Sequence, residues 1–81
     1  MKLKELKKEL KIFLKIKNLD DDKDLISNNI LDSFNIVSLV FYIEKTLKLK
    51  CNLNKIDNNN FSSIDKMIAF LIKQNKNKIT R

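Results

Sequence analysis

The chain has 81 residues with no Gly, Pro, Trp or His and a single Cys, and its formal charge is +7. That length supports one domain whose core is only just large enough to stand alone. Without histidine the commonest general base and metal ligand is missing, one cysteine excludes an internal disulfide or a thiolate cluster, and no apolar run approaches membrane-spanning length. Abundant Leu, Ile and Lys without helix breakers points to an all-helical chain with ordinary loops.

The charge is unevenly spread: residues 1–17 carry +5, 18–32 carry −4, 33–50 carry +2 and 51–81 carry +4. Nucleic-acid binding is the obvious reading of the total. However, there is almost no Arg, and no aromatic ladder lies on a basic face, so no nucleic-acid partner is expected.

Leu3, Leu6, Leu10, Phe13 and Leu14 follow helical spacing, so residues 2–17 read as a first amphipathic helix. Glu5 and Lys8 are placed to pair across one turn. Ile12 and Ile16 fall off the main stripe and are either exposed or in touch with a second neighbour. A basic amphipathic helix can also lie on a membrane surface, but the narrow leucine stripe suits a bundle better. With a charged N-terminus and no signal-peptide core, the protein is expected to be cytoplasmic, without membrane insertion.

Residues 18–32 form a long loop, the only acidic stretch in the chain. Leu25, Ile26, Ile30 and Leu31 can pin it to the core while the aspartates stay in water. It leads into Ile30-Leu31-Asp32-Ser33-Phe34-Asn35, where helical periodicity begins. Asp32 or Ser33 can cap the helix that starts there. A hydroxyl at that junction is exposed, and the unpaired N–H groups of a first helical turn favour an attached phosphate. On local chemistry alone, simple capping is the better account of Asp-Ser, and the dipeptide by itself is a weak signal.

The second helix, 33–48, carries two apolar stripes. Ile36, Leu39, Val40, Ile43 and Leu47 form one, and Phe34, Val37 and Phe41 form another, centred roughly 140° away at helical geometry. Such a helix is either buried nearly all round or exposes one stripe for docking. Residues 49–61 read as a connection with one short helical turn, anchored by Leu53, Ile56 and Phe61. Cys51 reads as a small core residue. Ser62, with Asp65 three residues on, opens a last helix over 62–74 with Ile64, Met67, Ile68 and Leu71 as its buried stripe. Residues 75–81 are polar and expected to fray.

Leu31-Asp32-Ser33-Phe34 resembles the attachment motif of the acyl and peptidyl carrier proteins. The resemblance extends over nearly the whole chain and runs without a gap against stand-alone D-alanyl carrier proteins from Ile30 to about Ala69. It is carried by Leu31-Asp32-Ser33, Val37, Leu39, Ile43-Glu44, an aromatic at Phe61 and Lys66-Met67-Ile68-Ala69. Asn29 stands where the family commonly has glycine, and Cys51-Asn52 lies where it usually has proline.

The resemblance implies a single domain, 1–81, folded as a small four-helix bundle of three main helices and one short turn, with a long loop between helices one and two. It implies that Ser33 carries covalent 4′-phosphopantetheine, whose thiol holds the cargo as a thioester. Asp32 would help a phosphopantetheinyl transferase orient that serine, and Phe34, Val37 and Phe41 would dock partner enzymes. The chain itself would be no enzyme and would hold no metal. Its partners would be the transferase, an adenylate-forming acyl or aminoacyl ligase and a downstream acyltransferase or synthase, acting on a monomeric carrier. A fatty-acid or polyketide acyl carrier is the nearest alternative, and a small basic nucleic-acid- or membrane-binding module the alternative of another class.

Overall fold

Three α-helices carry the fold of the computed structural model: α1 (Leu3–Leu14), α2 (Ser33–Lys45) and α3 (Ile64–Gln74). Residues 1–16, 18–52, 54 and 59–80 are described. Among them there is no strand, only an isolated parallel bridge between Lys2 and Thr80. The chain is therefore all-α. Of the expected 49–61 connection, Leu53 and residues 55–58 fall outside the described residues, and with them most of the expected short turn and the anchors Leu53 and Ile56.

Each helix is shorter than its periodicity suggested: α1 and α2 stop early, with their last apolar residues packing without being helical, and α3 starts late. α1 stops at Leu14, where Lys15 turns left-handed (φ 61°) and its N–H reaches back to the Ile12 and Lys11 carbonyls. α2 stops at Lys45. Lys48 (φ 59°) then reverses the chain, so that the Leu49 N–H returns to the Ile43 carbonyl at 3.2 Å. Leu47 still packs against the core from beyond the helix. α3 starts at Ile64, and its cap is Ser63 rather than Ser62: the Ser63 hydroxyl accepts the Lys66 N–H at 3.2 Å. The Ser62 carbonyl is taken instead by the Leu25 N–H at 2.7 Å.

Leu6 and Leu10 of α1, Ile36, Leu39, Val40 and Ile43 of α2, and Ile64, Met67, Ile68, Phe70 and Leu71 of α3 bury their side chains in one cluster. Leu19, Leu25 and Leu31 close it from the loop, and Leu49, Cys51 and Phe61 from the second connection. Fully burying a side chain of this size contributes about 1.5–3 kcal/mol, so these stripes hold the helices together. Phe61 meets Phe70 edge-on at 5.8 Å, and Phe13 meets Tyr42 at 5.3 Å. The Tyr42 hydroxyl also donates to Glu9, which lifts the tyrosine above its ordinary pKa and ties α1 to α2. No ion pair joins Glu5 to Lys8 among the described residues.

The helix ends gather at two poles. At one, the Leu3 N–H donates to Thr80 O at 2.6 Å and the Thr80 N–H to Met1 O at 2.8 Å, fastening the start of α1 to the chain beyond α3. The tail expected to fray is therefore held in place over residues 75–80. Asn75 explains why. It is buried, and its side chain accepts the Lys50 N–H at 2.7 Å and donates to the Lys50 and Leu71 carbonyls at 2.8 and 3.0 Å. At the other pole the loop meets the starts of α2 and α3, with the Asp65 N–H donating to Asp21 O at 2.9 Å. Among the described residues no helix is long and apolar enough to cross a membrane.

Candidate functional site

The loop from Leu19 to Leu31 is built to deliver the start of α2 to this second pole. Asp21 is clamped by Lys7 and Lys11, both at 2.8 Å. Hydrogen bonds from Lys11 and then Lys7 hold its carboxyl below the usual carboxylate range. A depressed carboxyl contributes stability above its unfolded-state pKa and loses it as pH falls through the lower folded one. Asp21→Asn should therefore cost under about 1 kcal/mol at neutral pH, given that the partners are one-third exposed. The gap from the wild type should close on acidification below the ordinary aspartate range. Urea unfolding of both proteins across that range checks this, and a pH-independent gap would show that the loop is not held by charge.

Asp24 then organises a turn. Its carboxylate accepts the Ile26 and Ser27 N–H groups at 3.1 and 3.0 Å and the Ser27 hydroxyl at 3.0 Å. The Ser27 N–H above all keeps its pKa low. The turn closes with the Ile30 and Leu31 N–H groups both donating to the Leu25 carbonyl, at 2.8 and 3.0 Å. That return requires a left-handed residue, which is Asn29 at φ 57°. Asn is the non-glycine residue most at ease there, because its short amide can bond locally.

Asp32 follows in extended backbone, and its carboxylate accepts the Asn35 N–H at 2.8 Å. Asp32 is thus the N-cap, and Ser33 is the first residue of α2. Capping engages Oδ1 of Asp32 and leaves the Ser33 hydroxyl exposed, with no hydrogen-bond partner among the described residues. The Asn35 and Ile36 N–H groups are taken by Asp32, whereas those of Ser33 and Phe34 have no partner there. An anion held on the serine oxygen would meet those two donors and the positive end of the helix. Beside the hydroxyl lies a small depression of mixed polar and apolar lining, formed by Ile26, Asn29, Leu31 and Asp32.

The comparisons with known proteins add no family. No family model matches the chain, and no curated protein matches it.

From Ser33 an apolar stripe runs along the outer side of α2. Phe34 is 78% exposed, Val37 45% and Phe41 57%, while Ile36, Leu39, Val40 and Ile43 on the inner side are buried. Of the two readings of this helix, burial all round is excluded. Sequence reasoning placed Asp32, Ser33 and the stripe side by side, but it missed the Asp21 clamp. The only signal for that clamp was the charge difference between the first helix and the loop. Among the described residues no cluster of His, Cys, Asp or Glu could hold a metal ion. Cys51 is buried, and burial above all pushes its thiol up to about 11, so it is not a nucleophile at neutral pH. Its alkylation at neutral pH should be slow in the folded protein and fast in urea, as followed by intact mass. Equal rates would show that the second connection is open.

Proposed function

We propose that this chain is an acyl or aminoacyl carrier protein that holds its cargo as a thioester on 4′-phosphopantetheine attached to Ser33. One observation carries the reading: a serine hydroxyl without a partner, at the first position of a helix whose cap is the preceding aspartate. A turn closed by a left-handed Asn29 presents it. The resemblance of Leu31-Asp32-Ser33-Phe34 to the carrier attachment motif supports it, as does the all-helical chain. On this reading the fold is the four-helix carrier bundle with its long loop, nearest to the stand-alone D-alanyl carriers.

The residues present fit the group. Its phosphate would be met by the Ser33 and Phe34 N–H groups, and its first carbons would lie over Ile26 and Leu31. In the attachment, the Ser33 oxygen forms a phosphodiester with the phosphate nearer the pantetheine of coenzyme A. The pyrophosphate P–O bond breaks, adenosine bisphosphate leaves with Mg²⁺ charge compensation on the transferase, and the serine proton passes to a base there. Asp32 helps the transferase orient the serine and its metal. Once attached, the arm supplies a thiol that carries cargo covalently, and the protein performs no chemistry of its own. It gives the cargo an address and a high effective concentration at each partner. An adenylate-forming ligase loads it, and an acyltransferase or synthase unloads it, in the cytoplasm and from a monomer. Phe34, Val37 and Phe41 are the docking stripe for these enzymes. A fatty-acid or polyketide carrier differs in which enzyme loads the thiol, so loading assays separate the two.

Incubation with phosphopantetheinyl transferases of broad specificity, coenzyme A and Mg²⁺ should add one phosphopantetheine by intact mass. Ser33→Ala should abolish the gain with helical content unchanged. An unmodified wild type, or a modified alanine variant, overturns the proposal.

A further inference from the structure

The pole opposite Ser33 carries an array that the carrier reading does not use. Lys45, Lys48 and Lys50, on the chain leaving α2, and Lys76 and Lys78, on the chain leaving α3, line one open groove, with Glu44 the single acid among the lining residues. None of the five lysines makes an ion pair among the described residues, where both ion pairs belong to Asp21. Helix C-termini favour a cation, but only within the last turn. That accounts for Lys45, not for the four lysines beyond the helices. The array is also preset. The Asn75 side chain clamps the Lys50 backbone, and the Lys78 N–H donates to the Asn75 backbone carbonyl at 3.0 Å, so both lysine-bearing segments are fixed to one buried residue.

The geometry points to a docking surface for an anionic phospholipid bilayer, on which the protein adsorbs without insertion. Three features favour that occupant. Clusters of four to eight basic residues on one surface are the pattern that recognises acidic headgroups. Specific protein interfaces are depleted in lysine and built on aromatic or arginine anchors, and no lining residue is of either kind. The same lack of aromatics removes the stacking platform that a single-stranded nucleic acid needs. Adsorption at this pole would leave Ser33, about 18 Å away along the 13 residues of α2, facing the solution. The inference does not rest on the carrier reading, because the lysines are tested apart from Ser33.

The test is flotation of the full chain with phosphatidylcholine vesicles with and without phosphatidylglycerol, at low and physiological salt. Binding should require phosphatidylglycerol and weaken steeply with salt. Replacing Lys48 and Lys76 together by Gln should reduce partitioning about 30-fold, at roughly fivefold per lysine near an acidic surface. Replacing Lys8 on α1 and Lys15 just beyond its end by Gln removes the same charge elsewhere and should change it under about threefold. Circular dichroism confirms that both variants are folded. Equal losses in the two variants would assign binding to net charge and overturn the proposal, as would binding that ignores phosphatidylglycerol. Tighter binding to random duplex DNA than to the acidic vesicles at physiological salt would also overturn it.

Discussion

Ile43→Ala should destabilise the free protein by about 2–5 kcal/mol, while Phe41→Ala should cost under about 1 kcal/mol. Both residues lie on α2, two positions apart, and both lose a large apolar side chain. They differ in surroundings. Ile43 is fully buried in the cluster that joins all three helices, so its truncation removes burial and leaves a cavity. Its carbonyl also receives the Leu49 N–H that closes the turn after α2, so slack at this position reaches the second connection. Phe41 is 57% exposed and gives up little buried area. For a domain of this size, 1 kcal/mol corresponds to roughly 4–8 °C in melting temperature, so the two variants separate clearly in a thermal scan. If the stripe is the docking face, loading by the cognate ligase should reverse the order. Phe41→Ala should be slow to load, and any folded Ile43 variant close to normal. Comparable destabilisation by the two substitutions would mean that the stripe is core and that partners dock elsewhere.

The contrast between these residues was legible in the sequence because helical spacing converts position directly into direction. Ile36, Leu39, Val40 and Ile43 recur on one side, and Phe34, Val37 and Phe41 on another. The left-handed turn at Asn29 was legible only through the resemblance, which puts Asn29 where glycine is common; asparagine is the residue that best replaces glycine in that backbone. The helix ends were not. Apolar spacing continues through Ile16 and Leu47, which pack on the core from outside their helices, while the actual stops depend on left-handed Lys15 and Lys48, residues with no such preference. Asn75 was hidden because a polar residue in a polar tail gives no sign of burial. Its role exists only once the chain after α2 lies beside the end of α3. The Asp21 clamp likewise depends on tertiary placement, since any of four neighbouring aspartates could have faced Lys7 and Lys11.

Asn75→Ala should cost about 2–4 kcal/mol, an effect comparable to deleting a core side chain. The amide makes three hydrogen bonds, two to Lys50 and one to the Leu71 carbonyl at the end of α3. A net worth near 1 kcal/mol for each of the three bonds gives about 3 kcal/mol, the middle of that range, and leaving the partners unpaired beside a buried segment moves the cost toward its upper end. Water can relieve Lys50 on its exposed side but reaches the Leu71 carbonyl less easily. Asn75→Asp should be at least as harmful: it keeps the size and the acceptor but loses both donors, and it sets a carboxylate against two carbonyl oxygens. The damage should also be local. Leu49 and Cys51 flank Lys50 and are buried, so releasing Lys50 should expose the thiol. Urea unfolding gives the stability, hydrogen exchange at the Lys50 amide reports the lost acceptor, and alkylation of Cys51 in the folded protein reports the opening. In the alanine variant all three should move together, with the m-value little changed because the rest of the core still unfolds as one unit. A loss below about 1 kcal/mol with Cys51 still protected would show that packing of Leu49 and Cys51, rather than the asparagine, holds this connection.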